Sequence, residues 1–326
     1  MPPQDCVALA KAAETAGLTG VWFAENAFAR GILPAAAACA LATTRLRINA
    51  GVFNPYSRHP TMMAMEIGAL DELSGGRTSI SVGSGILSAV EKMGLSAEKP
   101  VPALRDTLVI LRGLLRGEEV DHTGAAYSAK KIRLDYRPRG NIPVYLAGRG
   151  PLIVKLAAEA ADGLVISNMC SMRFAGRIAE LAQSSRRAAK PGAPVHIVQY
   201  MPCATHRESS EASRAAKQTV GELLPRFWAL AQKLGSAKEG LLMGTEISES
   251  DFTQAANRLR SGEDPTRVLD DRYARAFSLS GTPEECLAQA AEYKAAGVDE
   301  LALTFSGPSA QAEIAAIGAA LARAVK

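Results

Sequence analysis

The chain has 326 residues, of which 48% are hydrophobic and 21% charged, and 37 basic against 33 acidic residues give a net charge of +4. This composition is typical of a globular protein and excludes a disordered chain. No apolar run reaches the roughly 18 residues of a membrane span, and the N-terminus does not resemble a signal peptide. The interspersed charges give no basic stripe for nucleic acid. We therefore expect a cytoplasmic protein that binds neither membrane nor nucleic acid.

The cysteines and histidines do not form a recognisable metal motif. The five cysteines lie far apart and include no CxxC pair, and the four histidines include no HExxH spacing. An odd number of dispersed cysteines also argues against a disulfide framework. We expect no metal site.

Short apolar runs alternate with Ala- and Leu-rich stretches along most of the chain. Residues 4–16 are predicted as a helix that ends at Gly17, because glycine suits the left-handed cap of a helix. Residues 117–140 are predicted as a hairpin-like excursion. The predicted strands begin near residues 20, 46, 78, 142, 163, 195 and 298, and predicted helices follow near 32–43, 63–73, 101–116, 150–160, 172–189 and 309–325.

Residues 206–275 differ from the rest of the chain because they are more polar and contain no strand pattern. We predict a helical excursion here, within one domain that spans residues 1–326. Thr282-Pro283-Glu284-Glu285 then forms a capping box with proline at the first helical position, which predicts a helix that ends at Gly297.

Strands that alternate with helices predict a parallel sheet covered by helices. Two architectures fit this pattern, a doubly wound open sheet and a closed (β/α)8 barrel. Eight strands would close a barrel, whereas the pattern yields seven. Because the chain opens directly on a helix, the missing strand would be the first one. The pattern alone leaves both architectures open.

Polar and aromatic side chains follow two of the predicted strands. Residues 51–60, Gly-Val-Phe-Asn-Pro-Tyr-Ser-Arg-His-Pro, concentrate such groups at the carboxyl end of a strand, where α/β folds place their active sites. The alternative is a structural turn begun by Asn54-Pro55 and ended by His59-Pro60. Glu25 also follows an apolar strand, where it is either a site carboxylate or a solvated one.

Glycines follow two further strands. Residues 81–88 include the pattern GxGxxS, but serine in the third position and a helix where the next strand should end argue against a dinucleotide fingerprint. We instead predict a tight loop in which Gly83 allows a ligand or the backbone to come close. Gly148-Arg149-Gly150, directly before a helix, predicts a phosphate site, with a solvated Arg149 in an ordinary turn as the alternative.

The sequence supplies no nucleophile paired with a base, no paired carboxylates and no metal ligands, so we expect a cofactor to bring the reactivity. Four segments together resemble the bacterial luciferase-like superfamily. They are Asn54–Pro60, Leu70–Arg77, Ala147–Pro151 and Ala161–Gly163. The NPYxRHP and RGP forms are similar to the deazaflavin-dependent branch typified by methylenetetrahydromethanopterin reductase.

The resemblance implies a (β/α)8 TIM barrel with a flavin or deazaflavin at the carboxyl ends of the strands. It implies a non-prolyl cis peptide bond that maps onto Gly51-Val52 and backs the cofactor ring. Phe53 and Asn54 would border that ring. Gly148, Arg149 and Gly150 would bind the cofactor phosphate.

The resemblance also implies a catalytic acid. Glu25 matches the acidic position after the second barrel strand, which lies near the reacting carbon in relatives. Relatives often place a histidine directly after this acid, whereas this chain has Asn26. Glu25 is therefore the first candidate for the proton donor, and His59 is the second.

Three functions are consistent with the resemblance. The leading one is an oxidoreductase that uses coenzyme F420, a deazaflavin that reacts poorly with oxygen, to transfer a hydride to or from a small organic substrate. The alternative is an FMN-dependent monooxygenase that takes reduced flavin from a separate reductase and reacts with oxygen. The third is a non-catalytic flavin-binding relative. We also expect a homodimer.

Overall fold

The computed structural model describes residues 1–139, 141–189 and 192–324. Contacts divide the chain into two compact units. The first comprises residues 1–148, 152–165 and 185–195, and the second comprises residues 149–151, 166–184 and 196–326.

The first unit is a parallel α/β layer, as the alternating pattern predicts. Strands β1, β2, β3, β6 and β7 pair in this order, each parallel to the next, whereas β4 and β5 form the predicted antiparallel hairpin. The elements are α1 (Pro3–Thr15), β1 (Gly20–Phe23), α2 (Ile32–Ala42), β2 (Arg47–Phe53), α3 (Pro60–Ser74), β3 (Thr78–Gly83), α4 (Leu87–Lys92), α5 (Pro100–Leu115), β4 (Val120–Thr123), β5 (Ser128–Ile132), β6 (Val144–Ala147), α6 (Pro151–Ala160) and β7 (Gly163–Ile166).

The core of the first unit lies on both sides of its central strands. Every residue of β3 is buried, and so are most residues of β2. Strands of a parallel sheet are buried on both faces by the helices that connect them, so even the serine and threonine residues of β3 are buried. Ile48, Ile80, Met63 and Leu108 are fully or almost fully buried in this core.

Two segments that carry the family resemblance have structural roles. The Arg77 guanidinium donates hydrogen bonds to the carbonyl oxygens of Ala40, at 2.7 Å, and Thr43, at 3.0 Å, and thereby ties α2 to the start of β3. Asp162 accepts from the Val144 N–H at 2.8 Å and pairs with Arg112 through both carboxylate oxygens. These residues organise the sheet rather than a ligand site.

The second unit contains the remaining strands and the long helical stretch. Strand β8 pairs in parallel with both β9 and β10. The elements are α7 (Met172–Ala189), β8 (His196–Thr205), α8 (Ser209–Ala231), α9 (Gly235–Leu242), α10 (Glu249–Arg260), α11 (Pro265–Val268), α12 (Asp271–Phe277), β9 (Leu279–Gly281), α13 (Pro283–Ala295), β10 (Glu300–Phe305) and α14 (Ala310–Ala324).

The helical prediction for residues 206–275 is confirmed, because α8 to α12 fill this stretch. Its helices share an apolar cluster centred on Phe252, whose ring stacks on Trp228 at a centroid distance of 5.1 Å and meets Tyr273 edge-on at 5.5 Å. That the whole chain forms a single domain stays a prediction.

All seven predicted strands are present, and the first element of the chain is α1, as expected. The predicted capping box is also confirmed, since the Glu285 N–H donates to Thr282 Oγ1 at 3.2 Å and the Thr282 N–H donates to Glu285 Oε2 at 2.7 Å. The sequence pattern missed β9 and α4. A three-residue strand and a six-residue helix are too short to show a periodicity of their own.

No helix in the described part of the chain combines the length and apolar character that crossing a bilayer requires. Within the same residues, no group of three or more histidine, cysteine or acidic side chains could hold a metal ion. The five cysteines are free thiols.

Candidate active site

The carboxyl end of β2 carries the feature that the family resemblance places next to a cofactor ring. The Gly51–Val52 peptide bond is cis, as the resemblance implies. A Cβ atom on Gly51 would lie 2.3 Å from the carbonyl oxygen of Ser81, so only glycine fits against β3 here. Phe53 follows as a fully buried side chain.

Gly83, the last residue of β3, and Gly85, in the loop after it, allow the end of β2 and its following loop to approach. A Cβ atom on Gly83 would lie 2.8 Å from Val52 Cγ1, and one on Gly85 would lie 2.8 Å from Asn54 Cβ. Gly83 therefore makes room for Val52. The structure thus places Gly51, Val52, Asn54 and Gly83 together at adjoining strand ends, and their binding role stays a prediction.

Glu25 lies beside this strand end. Its backbone N–H donates a hydrogen bond of 2.9 Å to the carbonyl oxygen of Gly51. Its side chain is only 20% exposed, and its Oε1 atom lies 3.3 Å from Nη2 of Arg58. The Arg58 guanidinium also pairs through Nη1 with Glu66 of α3 and lies 4.7 Å from the centroid of the Phe53 ring.

Burial raises the pKa of the Glu25 carboxyl group. The positive charge of Arg58 opposes this shift, and the negative charge of Glu66 adds to it. The two carboxylates share the positive charge of one guanidinium, so this charge does not fully neutralise either of them. Glu25 can therefore hold a proton to a higher pH than a solvated glutamate, which is a requirement for a general acid.

His59 has a structural task at the start of α3. Its Nδ1 atom accepts a hydrogen bond of 3.2 Å from the Thr61 N–H and so caps the helix. The neutral ring then carries its proton on Nε2. Burial lowers the pKa of His59, which favours this neutral form. A catalytic role for His59 stays a prediction, and the capping contact leaves Nε2 as the nitrogen that could perform it.

The β4–β5 hairpin supports the loop that contains His59. The Tyr127 hydroxyl donates to the carbonyl oxygen of Pro55 at 2.8 Å, and its ring meets the His59 ring edge-on at 5.7 Å. The buried carboxylate of Asp106 in turn accepts from the N–H groups of Ala126, at 2.7 Å, and Tyr127, at 3.1 Å. Helix α5 thereby fixes the hairpin against residues 54–59.

Arg149, the predicted phosphate ligand, belongs to the second unit. Its Nη2 atom donates to Ser167 Oγ, and its guanidinium lies 5.5 Å from the centroid of the Phe227 ring in α8. Its Nη1 atom is buried and has no hydrogen-bond partner among the described residues, and the same holds for Asn168 Oδ1. A buried guanidinium nitrogen that lacks an acceptor is unusual and marks a place where an anion can bind.

The two glycines beside Arg149 differ in their surroundings. A Cβ atom on Gly148 would lie 2.6 Å from Ile153 Cγ2, so this glycine makes room for α6. Around Gly150 the nearest atom to such a Cβ is Ser236 Oγ, at 3.8 Å. The residues around Arg149 thus fit the phosphate of a cofactor, because they offer a guanidinium nitrogen without an acceptor among the described residues and the hydroxyl group of Ser167.

Comparison with known proteins gives the family. The family model described as luciferase-like monooxygenase matches residues 1–300. The chain belongs to this family. It is 27% identical over 313 residues to the 5,10-methylenetetrahydromethanopterin reductase of Methanolobus tindarius, a match that covers 95% of this chain and 93% of the relative. It is 25% identical to the F420-dependent glucose-6-phosphate dehydrogenase of Amycolatopsis mediterranei, covering 94% of this chain and 89% of the relative.

The fold agrees with the family. The structure of the coenzyme F420-dependent tetrahydromethanopterin reductase from Methanopyrus kandleri superposes with a TM-score of 0.79 at 22% identity, covering 98% of this chain and 94% of that protein. The predicted luciferase-like TIM-barrel class of fold is therefore confirmed, and the doubly wound alternative is wrong. Strand and helix alternation is common to both architectures, so the sequence pattern could not separate them.

Sequence reasoning missed two residues of the Glu25 cluster. Arg58 lies within the unusual segment 51–60 but received no role there, and Glu66 was not singled out within the helix predicted near 63–73. A basic residue in a strand-end loop, followed by an acidic residue one turn or more into the next helix, is the available signal. It is weak because the spacing does not show which way either side chain points.

Proposed function

We propose that the protein is an oxidoreductase that transfers a hydride between coenzyme F420 and a small organic substrate. The observation that carries this proposal is the partly buried Glu25 carboxyl group, which lies at the strand end that contains the Gly51–Val52 peptide bond and has a raised pKa. The similarity to an F420-dependent glucose-6-phosphate dehydrogenase and to a coenzyme F420-dependent tetrahydromethanopterin reductase supports the choice of cofactor.

Glu25 supplies the proton that accompanies the hydride. When bound, coenzyme F420 donates or accepts the hydride. Hydride addition to a polarised double bond leaves negative charge on the substrate, and a carboxylic acid within hydrogen-bond reach neutralises it. In the reverse direction the Glu25 carboxylate accepts the proton from the substrate. Asn26 can donate a hydrogen bond but cannot titrate, so of these two adjacent residues only Glu25 can transfer the proton.

Arg149 binds the phosphate of the cofactor. The Nη1 atom, which has no acceptor among the described residues, can donate a charge-assisted hydrogen bond to the phosphate. The other terminal nitrogen of the same guanidinium, Nη2, already donates to Ser167 Oγ. The Phe227 ring packs near the guanidinium and limits its movement. This contact stabilises the bound cofactor equally before and during reaction, so it contributes to affinity rather than to turnover.

The alternative is an FMN-dependent monooxygenase, which the description of the matching family model favours. The two proposals differ in their use of oxygen. An F420-dependent enzyme turns over without oxygen, whereas the monooxygenase consumes oxygen and requires reduced flavin from a separate reductase. We also propose that the protein forms a homodimer.

A panel of substrates tests the proposed function. Purified protein is mixed anaerobically with reduced F420 and compounds that contain a carbonyl or imine group, and with oxidised F420 and alcohols, while the absorbance of oxidised F420 is followed. We expect turnover with at least one class of substrate and, in a separate aerobic assay with reduced FMN, no oxygenated product. Formation of an oxygenated product with reduced FMN, and no F420 turnover, would favour the monooxygenase.

A further inference from the structure

We propose that Glu66 is a positioning residue for Glu25. By holding the Arg58 guanidinium, Glu66 limits how closely Arg58 pairs with the Glu25 carboxyl group. This inference rests on the proposed function only in taking Glu25 as the proton donor. The three side chains come from three places in the first unit, the residues after β1, the loop after β2 and helix α3.

The contacts of Arg58 are unequal. Its Nη1 atom pairs with Glu66 Oε2, whereas its Nη2 atom lies 3.3 Å from Glu25 Oε1. Charge-assisted hydrogen bonds between nitrogen and carboxylate oxygen normally measure about 2.7–2.9 Å. The contact with Glu25 is therefore loose, and Glu66 together with the Phe53 ring determines where the guanidinium lies.

The rigidity of α3 explains why Glu66 can act as an anchor. The helix begins at Pro60 and is capped by His59, so its first two turns are held in place directly beside the loop that carries Arg58. Glu66 is 33% exposed, compared with 20% for Glu25. The better-solvated carboxylate costs less to keep charged, so it retains the guanidinium in competition with Glu25.

In this arrangement Arg58 only partly neutralises the charge of the Glu25 carboxylate. Among the described residues, the charged side chains that act on its carboxyl group are Arg58, which favours the carboxylate, and Glu66, which disfavours it. Removing the charge of Glu66 should release Arg58 toward Glu25 and remove a like charge at the same time. Removing the charge of Arg58 should have the opposite effect on Glu25.

The variants Glu66→Gln and Arg58→Gln therefore have predicted effects of opposite sign. The measurement is a pH titration of protein labelled with glutamate carrying carbon-13 in the side-chain carboxyl group, without cofactor. The resonance that disappears in Glu25→Gln identifies Glu25. We expect its midpoint to fall in Glu66→Gln and to rise in Arg58→Gln. Glu72→Gln, which removes the same charge from an exposed position of α3, serves as the matched control and should leave the midpoint unchanged.

The outcome separates this inference from the proposed function. An unchanged midpoint in Glu66→Gln, or a shift equal to that of Glu72→Gln, would overturn the positioning role even if Glu25 proves essential for turnover. Conversely, opposite shifts in the two variants would support it even if Glu25→Gln stays active. Circular dichroism checks folding, and if Arg58→Gln does not fold, the comparison of Glu66→Gln with Glu72→Gln decides alone.

Discussion

The backbone N–H of Glu25 donates a hydrogen bond of 2.9 Å to the carbonyl oxygen of Gly51. This bond extends the pairing of β1 with β2, whose last paired residues are Phe23 and Ala50. It places the Glu25 carboxyl group beside the strand end at which the family resemblance places a cofactor ring. The position of the acid thus follows from the register of two parallel strands.

Glu25→Gln tests the acid role. The amide keeps the size of the side chain but cannot transfer a proton, so turnover should fall by roughly 10²–10⁴ while cofactor affinity is unchanged. Steady-state kinetics and a cofactor titration measure the two effects. Near-normal turnover in this variant would assign the proton transfer to His59 or to water.

The pH dependence should report the same group. Burial, together with Glu66, raises the pKa of Glu25 against the opposing charge of Arg58. As a proton donor Glu25 is active while protonated, so the rate of hydride addition should be high below this pKa and fall as the pH rises through it. In Glu25→Gln the pH–rate profile should no longer show this fall in rate. A fall that persists in the variant would come from the titration of another group.

Arg149→Ala tests the phosphate site. A charge-assisted hydrogen bond contributes about 1.5–3 kcal/mol, so cofactor affinity should fall roughly ten- to a hundredfold, with turnover at saturating cofactor retained. Arg177→Ala is a matched control, because Arg177 also lies over an aromatic ring, that of Phe174, but pairs with Glu239. Equal affinities for both variants would remove Arg149 from the site.

Gly83→Ala tests the close approach behind the proposed cofactor site. The added methyl group would lie 2.8 Å from Val52 Cγ1 and 3.1 Å from the carbonyl oxygen of Ala147, so Val52 must shift. We expect weaker cofactor binding. Gly192→Ala, which meets no atom within 4 Å, should bind cofactor normally. Unaltered binding in Gly83→Ala would mean that the position of Val52 is not critical.

Arg77→Met tests the structural role of a family motif. The substitution leaves several carbonyl oxygens without their donor, and each such loss costs about 1–3 kcal/mol. The free energy of unfolding, measured with urea, should fall by at least about 2 kcal/mol. Arg105→Met, which breaks the exposed pair with Glu159, should change it by less than about 1 kcal/mol. Similar values for both variants would contradict this role.

The sequence predicted the order of the elements well because parallel strands and their helices have distinct lengths and periodicities. It also predicted the capping box of α13, since that motif is local. Contacts between distant residues were beyond its reach. Nothing in the sequence shows that Phe227 lies near Arg149 or that Glu66 pairs with Arg58, because such contacts depend on how helices are placed after the chain has folded.

The role of single glycines was only half predictable. A strand-end glycine predicts a close approach, but not what approaches. At Gly83 and Gly148 the approaching groups are the side chains of Val52 and Ile153, whereas a Cβ atom on Gly150 would come no closer than 3.8 Å to a neighbouring atom, Ser236 Oγ. Only the packing around each backbone position distinguishes a glycine that accommodates a neighbouring side chain from one that leaves room for a ligand.

An equilibrium titration with the two cofactors tests the central claim most directly. Oxidised F420 and FMN are added separately to the purified protein, and binding is followed by the quenching of cofactor fluorescence. The proposed function predicts saturable binding of F420 that is tighter than binding of FMN and is weakened in Arg149→Ala. Tight binding of FMN, with no detectable binding of F420, would contradict it.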